Sequence, residues 1–245
     1  MALILNIETS ADLCSVALAR GGTVVASLSG EGERDHSRVL TVLIGDLLRK
    51  AGIPMAELEA VAVSEGPGSY TGLRIGVSVA KGIAYARQIP LIAVPTLDAL
   101  AVSVARDLPT ELATRLGETG KLCPMIDARR MEVYSALFDR QGRRLTPVRP
   151  YVVDETYYRE ARDTGNVLFF GTGSEKCREV LGRPSDLFLE GIVPHAERLV
   201  PLAEERCRRQ EYADTAYFEP FYLKEFVATV PKDLLKKDRN LQGGS

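Results

Sequence analysis

The chain has 245 residues, 31 Lys and Arg against 33 Asp and Glu, a formal net charge of −2 and 45% apolar residues. That length suits one large or two small domains, and the composition is that of a folded globular protein and excludes long disorder. A near-neutral chain lacks the basic field that captures phosphate backbones, which disfavours a strongly electrostatic nucleic-acid binder while leaving a local basic patch open. No stretch approaches the ~18 uninterrupted apolar residues of a membrane span. The N-terminal MALILNIETS has no basic leader and reads as a first strand, not a signal peptide. Cys14, Cys123, Cys177 and Cys207 are scattered without C-x-x-C spacing, as expected of reduced thiols in a cytoplasmic protein. His36 and His195 are too far apart in sequence for the short-range pairs that zinc and iron sites draw on, and there is no G-x-S-x-G elbow. Metallohydrolase and serine hydrolase chemistry are both disfavoured.

Residues 2–8 form an apolar run ending in Glu8-Thr9-Ser10, a buried strand opening into a polar turn. Cys14–Ala19 and Thr23–Leu28 flank Gly21-Gly22, a hairpin signal, so the first three strands are expected to form an antiparallel meander. From Asp35 to Ala51 the period changes: Leu40, Leu43, Ile44, Leu47, Leu48 and Ala51 share one helical face, and Gly52 and Pro54 end the helix. A short strand at Ala60–Ser64, the turn Gly66–Gly72, a helix to about Arg87, a strand at Leu91–Val94 and a helix at Thr96–Arg106 follow. This order, with its leading hairpin, predicts a ribonuclease-H-like α/β layer. Apolar density falls over Leu108–Gly120, which marks the domain boundary.

A second meander then begins: strands at Leu122–Ile126, Glu132–Phe138 and Leu145–Val153, with a turn at Gln141-Gly142. Val167–Phe170 reads as a buried strand leading through Gly171–Ser174 into a helix to Val180, and residues 195–210 as another helix. The second half is thus a reduced topological copy of the first. The expected division is a first lobe at 1–108, a second at 109–210, a segment about 211–230 returning to the first, and a charged, frayed tail at 231–245.

The loop Gly66-Pro67-Gly68-Ser69-Tyr70-Thr71-Gly72 has the wrong glycine spacing for a dinucleotide fingerprint and lacks the lysine of a P-loop. Two readings stay open: an anion cradle at a helix N-terminus, or a tight turn with Ser69 or Thr71 as helix cap. In the following helix Gly72, Gly76, Ala80 and Ala84 recur every four residues and leave one face nearly bare. Interior glycine costs about 1 kcal/mol relative to alanine, so a close backbone approach is expected there, from the 35–51 helix or from a partner subunit. Glu8, Thr9 and Ser10 are placed to hold a nucleotide's Mg²⁺, or simply to make a hydroxyl-bonded turn. Asp127-Ala128-Arg129-Arg130 occupies the equivalent turn of the second half, its arginines meeting phosphate or forming surface pairs. The run Arg206-Cys207-Arg208-Arg209 has Glu204, Glu205 and Glu211 beside it and reads as a solvated face.

With I7-E8-T9-S10, G66-P-G-S-Y-T-G-L-R-I-G76, D127-A-R129 with E132-V-Y134, and Y222-L-K224, the chain resembles the TsaB (YeaZ) family over residues 2 to 230. The resemblance implies a two-lobed actin/Hsp70-type ATPase (ribonuclease-H-like) fold and a non-catalytic partner of TsaD, the threonylcarbamoyl transferase that modifies the adenosine beside the anticodon of certain tRNAs. Where TsaD carries the metal-binding pair of a His-x-x-x-His helix start, this sequence has Thr96 and Leu100, and leucine cannot bind a metal. The later Asp-Asn segment of the transferase site is absent too.

The expectation is therefore a cytoplasmic scaffold with no catalytic residue, no metal and no cofactor of its own, ATP or ADP with Mg²⁺ being held only in the assembled complex. Its implied partners are a TsaD-like transferase and a TsaE-like ATPase, with a homodimer when alone and tRNA reached only through the complex. Glu8, Thr9, Ser10, Gly66, Gly68 and Ser69 are the candidate nucleotide-binding residues. Leu40, Leu43, Ile44 and Leu47 on one helix, with Arg74, Gly76, Ser78, Ala80, Lys81 and Tyr85 on the other, are the candidate partner interface. The alternatives are an independent small phosphotransferase or ATPase using Glu8 and the glycine loop, and a metallopeptidase, which Thr96 and Leu100 disfavour.

Overall fold

The computed structural model describes residues 1–30 and 36–223. Asp35 at the expected helix start, Lys224, the remainder of the 211–230 segment and the 231–245 tail lie outside the described residues.

β1 (Leu3–Glu8), β2 (Cys14–Arg20), β3 (Thr23–Gly30), β4 (Ala60–Gly66) and β5 (Leu91–Pro95) form a first sheet in the order β3-β2-β1-β4-β5. β1, β2 and β3 pair antiparallel, as the hairpin signal predicts, and β4 and β5 run parallel to β1. Gly21 and Gly22 both take positive φ, the conformation a two-residue hairpin turn demands. Every residue of β1 is buried because both faces of the sheet are covered. Leu3, Leu5 and Ile7 pack on one side with α1 (His36–Ala51) and α2 (Tyr70–Arg87). Ile4, Ala60, Ala62, Ile92 and Val94 pack on the other with α7 (Ala196–Arg209).

The second sheet holds β6 (Lys121–Asp127), β7 (Glu132–Ser135), β8 (Arg149–Val152), β9 (Val167–Phe170) and β10 (Asp186–Leu189). Read from its antiparallel edge its order is β8-β7-β6-β9-β10, strand for strand the topology of the first. What is reduced is the helical layer: α5 (Arg159–Thr164) and α6 (Arg178–Leu181) have 6 and 4 residues where α1 and α2 have 16 and 18.

The structure departs from the sequence reading in several places. The expected connector at 108–120 contains α4 (Thr110–Leu116), whose 7 residues are too few to show a period. The strand expected at 145–153 spans only 149–152, and a 3-10 turn at Glu175–Cys177 precedes α6. α5 and β10 were unforeseen, since both bury a charge. The Arg162 guanidinium donates to both carboxylate oxygens of Asp186, at 2.9 and 2.6 Å, and its remaining donors reach the carbonyls of Glu155, Tyr157 and Leu181. Fully paired in this way, two charges occupy a place that pattern rules reserve for apolar residues.

The connecting helices cross over. α3 (Thr96–Arg106) follows the first sheet, yet Leu97, Leu100, Ala101 and Val104 pack with Leu122, Ile126, Phe138 and Phe170 of the second lobe. α7 follows the second sheet, yet Leu199 and Ala203 pack on the first. The helix expected at 195–210 within the second lobe thus lies by its contacts on the first sheet, because an amphipathic stripe says that a face is buried but not which sheet receives it. The chain continues along the first lobe: Ala213 bridges to Leu91, Phe218 joins its core, and the Phe221 N–H donates to the Glu65 carbonyl at 2.7 Å.

Candidate functional site: a filled glycine loop and the outer face of a helix pair

β1 and β4 lie side by side, so their C-terminal ends bring Glu8 against Ser64, whose hydroxyl donates to Glu8 Oε1 at 2.8 Å. The Ser10 N–H donates to the same oxygen at 2.6 Å, while the buried Oε2 has no hydrogen-bond partner. Burial pushes the Glu8 carboxyl above its ordinary value, against the opposing pull of these hydrogen bonds. Glu8, Thr9, Ser10, Gly66, Gly68 and Ser69 are therefore brought together.

They are also packed shut. A Cβ at Gly68, Gly72 or Gly76 would come under 3.0 Å from Ser10 O, Thr9 O and Thr9 Oγ1 respectively. Three N–H groups of this stretch are bonded internally: Ser69 N–H donates to Ser10 O at 2.7 Å, Gly72 N–H to Ser69 Oγ at 3.2 Å and Leu73 N–H to Ser69 O at 2.9 Å. Ser69 is the N-cap of α2, and Phe221 O covers Gly66 from outside. The Thr9-Ser10 turn itself packs against the three glycines.

In the second lobe Asp127, at the end of β6, stands where Glu8 stands in the first, but it is exposed and pairs with Lys176. Arg129 and Arg130 follow at positive φ, and neither guanidinium forms an ion pair among the described residues. In the expected solvated run, Arg209 pairs with Glu205, whereas Arg206 turns inward to donate to the Ala93 carbonyl. Thr96 and Leu100 are both buried, each 1% exposed. Among the described residues no group of three or more His, Cys, Asp or Glu is placed to hold a metal ion.

The helix pair corrects part of the expected interface. Leu40, Ile44, Leu47 and Ala80 are buried in this chain's own core, and Leu43 packs against it half-buried. Gly76 is buried against Thr9, so its close approach is to the β1 turn, neither to α1 nor to a partner. Lys81 is tied to the carbonyls of Ala216 and Phe218, both at 3.0 Å. Arg74, Ser78 and Tyr85 do point outward, Tyr85 with 80% exposure. Two residues outside the expected interface share that outer surface. Gly45 of α1 and Gly82 of α2 are exposed, and a Cβ on either would meet nothing within 4 Å. Each mid-helix glycine costs about 1 kcal/mol, and no contact among the described residues offsets it. Val42, 60% exposed, lies on the same turn of α1 as Gly45. For Gly45 the signal was present in the sequence, since it interrupts α1 away from that helix's single apolar stripe.

Two five-stranded sheets of one topology, joined by crossed helices, define the class: the two-lobed fold of actin-like ATPases and sugar kinases. A polyphosphate/ATP glucomannokinase from Arthrobacter sp. strain KM shares this fold at 11% identity and a TM-score of 0.51, covering 85% of this chain and 100% of that one. YeaZ from Pseudomonas aeruginosa matches at 31% identity and a TM-score of 0.75, covering 91% of this chain and 100% of its own. The tRNA threonylcarbamoyladenosine biosynthesis protein TsaB of Escherichia coli K12 is 32% identical over 92% of this chain and 96% of that protein. The sequence model of TsaD, tRNA N6-adenosine threonylcarbamoyltransferase, matches residues 30–232. The chain belongs to the TsaB (YeaZ) family. Among the described residues no helix is long and apolar enough to cross a membrane.

Proposed function

We propose that this chain is a cytoplasmic scaffold subunit, without catalysis of its own, that pairs with a TsaD-type transferase in the threonylcarbamoyladenosine modification of tRNA. The observation that carries this reading is the outer face of α1 and α2, where Gly45 and Gly82 hold two helices bare at a cost that nothing among the described residues recovers. A helix of a second protein approaching closely there supplies the missing contact. Family membership supports the identity of that partner, since the chain resembles TsaB proteins over nearly its full length. The same face serves a second copy of this chain when the transferase is absent. A TsaE-type ATPase joins the assembled complex, and with a net charge of −2 the chain meets tRNA only within it.

The filled glycine loop supports the absence of an active nucleotide site: the positions that would cradle phosphate hold the Thr9-Ser10 turn in place. ATP, ADP and Mg²⁺ are therefore assigned to the complex and not to this chain. The test is co-purification with the transferase followed by assay of modified tRNA, alongside ATP turnover by the isolated chain. The expected result is complex formation, tRNA modification that depends on this subunit, and no hydrolysis above background. Turnover by the isolated chain that is lost on Glu8→Ala would overturn the reading in favour of a phosphotransferase.

A further inference from the structure

A cavity of about 510 Å³ opens on the first lobe away from the outer face of α1 and α2, between the β2–β3 hairpin, the C-terminal end of α3 and the start of α7. Its volume lies in the range of small-molecule sites, roughly 300–1,000 Å³. One wall is apolar, with Val24 and Val193 held 39% and 37% exposed beside Val200. The other is polar and fixed. Arg198 is anchored by Nη1–H to Ser103 Oγ at 2.7 Å and by Nε–H to the Val193 carbonyl at 3.0 Å, so Nη2 keeps its donors free among the described residues. The His195 Nδ1 accepts the Glu197 N–H at 3.3 Å, which puts the ring proton on Nε2, and that N–H has no partner among the described residues either. Burial lowers the pKa of both groups.

The N-terminus of α7 does not itself make this a site, since its first N–H groups are taken: Ala196 donates to Ser15 Oγ at 2.9 Å and Glu197 to His195. What distinguishes the cavity is its charge balance. Arg106 and Arg198 line it together with Asp107 and Glu197, so two cations and two anions share one small space. A net field of either sign would favour a simple ion; a balanced lining favours a ligand that carries both charges.

We propose that this cavity binds a small zwitterion of the free amino-acid class. The carboxylate meets the free donors of Arg198 and His195, the ammonium meets Asp107, and the side chain rests on the valine wall. Anchored guanidinium and imidazole donors lose little rotamer freedom on binding, which favours recognition by a site of this size.

Isothermal titration of the full chain with L-valine, N-acetyl-L-valine and L-valinamide tests this directly. L-valine is expected to bind, with each singly charged analogue weaker by about tenfold or more, a difference of roughly 1.4 kcal/mol. Arg198→Ala is expected to abolish L-valine binding. Because Arg198 also ties α7 to Ser103, the companion variant is Asp107→Asn, on an exposed side chain. It should weaken L-valine and leave N-acetyl-L-valine unchanged. No binding of L-valine, equal binding of N-acetyl-L-valine (a simple anion site), or indifference to Asp107→Asn each overturns the proposal.

Discussion

Glu8 illustrates how one residue type serves opposite ends in one fold. A carboxylate at the end of the first strand is placed to hold a cation, yet here it is 1% exposed, bonded to Ser64 and Ser10, and closed over by the glycine loop. Its pKa is raised from 4.5 by desolvation, which binds the proton more tightly in the folded chain than in the unfolded one. Stability from this group is thus fully present below pH 4.5 and is lost as pH rises through the folded value. Glu8→Gln should remove that loss. Melting followed from pH 4.5 upward is expected to show the variant gaining on the parent as pH rises; a constant difference would mean that Glu8 is not strained by burial.

At the scale of the element, α2 carries glycines with opposite duties. Gly76 lets the helix seat against Thr9, so Gly76→Leu overpacks the chain's own core, at about 1–3 kcal/mol, and should lower the melting temperature. Gly82 faces open space, so Gly82→Leu should raise helix stability by up to about 1 kcal/mol and leave melting unchanged or higher. If a partner helix docks on that face, the same substitution should weaken transferase binding by about tenfold to a hundredfold. Gly45→Leu in α1 is expected to behave alike. Calorimetric affinity and thermal melting, measured on all three variants, separate the duties. Intact transferase affinity in both Gly45→Leu and Gly82→Leu would place the contact elsewhere.

At the scale of the whole molecule, the crossed helices are expected to make the two lobes one cooperative unit. Unpacking the second sheet frees α3, which follows the first, and unpacking the first frees α7, which follows the second. Leu199→Ala, at a fully buried position of α7, should cost about 2–5 kcal/mol and loosen both sheets together. Hydrogen exchange of peptides covering β1 and β6 checks this: protection is expected to fall in parallel, and loss confined to β1 would show that the lobes unfold independently.

The first lobe was legible in the sequence because its elements are long and bounded by their own turn residues: an apolar β1, a Gly21-Gly22 hairpin, and the 16- and 18-residue helices α1 and α2. The family motifs were legible too, and the helix cap was narrowed to Ser69 or Thr71, of which Ser69 is the one that caps α2. The short α4, α5 and β10 were not, because segments of 7, 6 and 4 residues show too few repeats to reveal a period, and Asp186 hides its strand behind a charge that only Arg162 makes tolerable. Which face of α2 stays free was also beyond reach, since Gly76 and Gly82 are identical in local preference and differ only in what the fold brings near them. Local chemistry determined the elements of the first lobe and most of their ends. Only the tertiary structure decided that the glycine loop is filled from within, that α3 and α7 exchange sheets, and that Gly45 and Gly82 are left bare, because each depends on contacts between residues far apart in the chain.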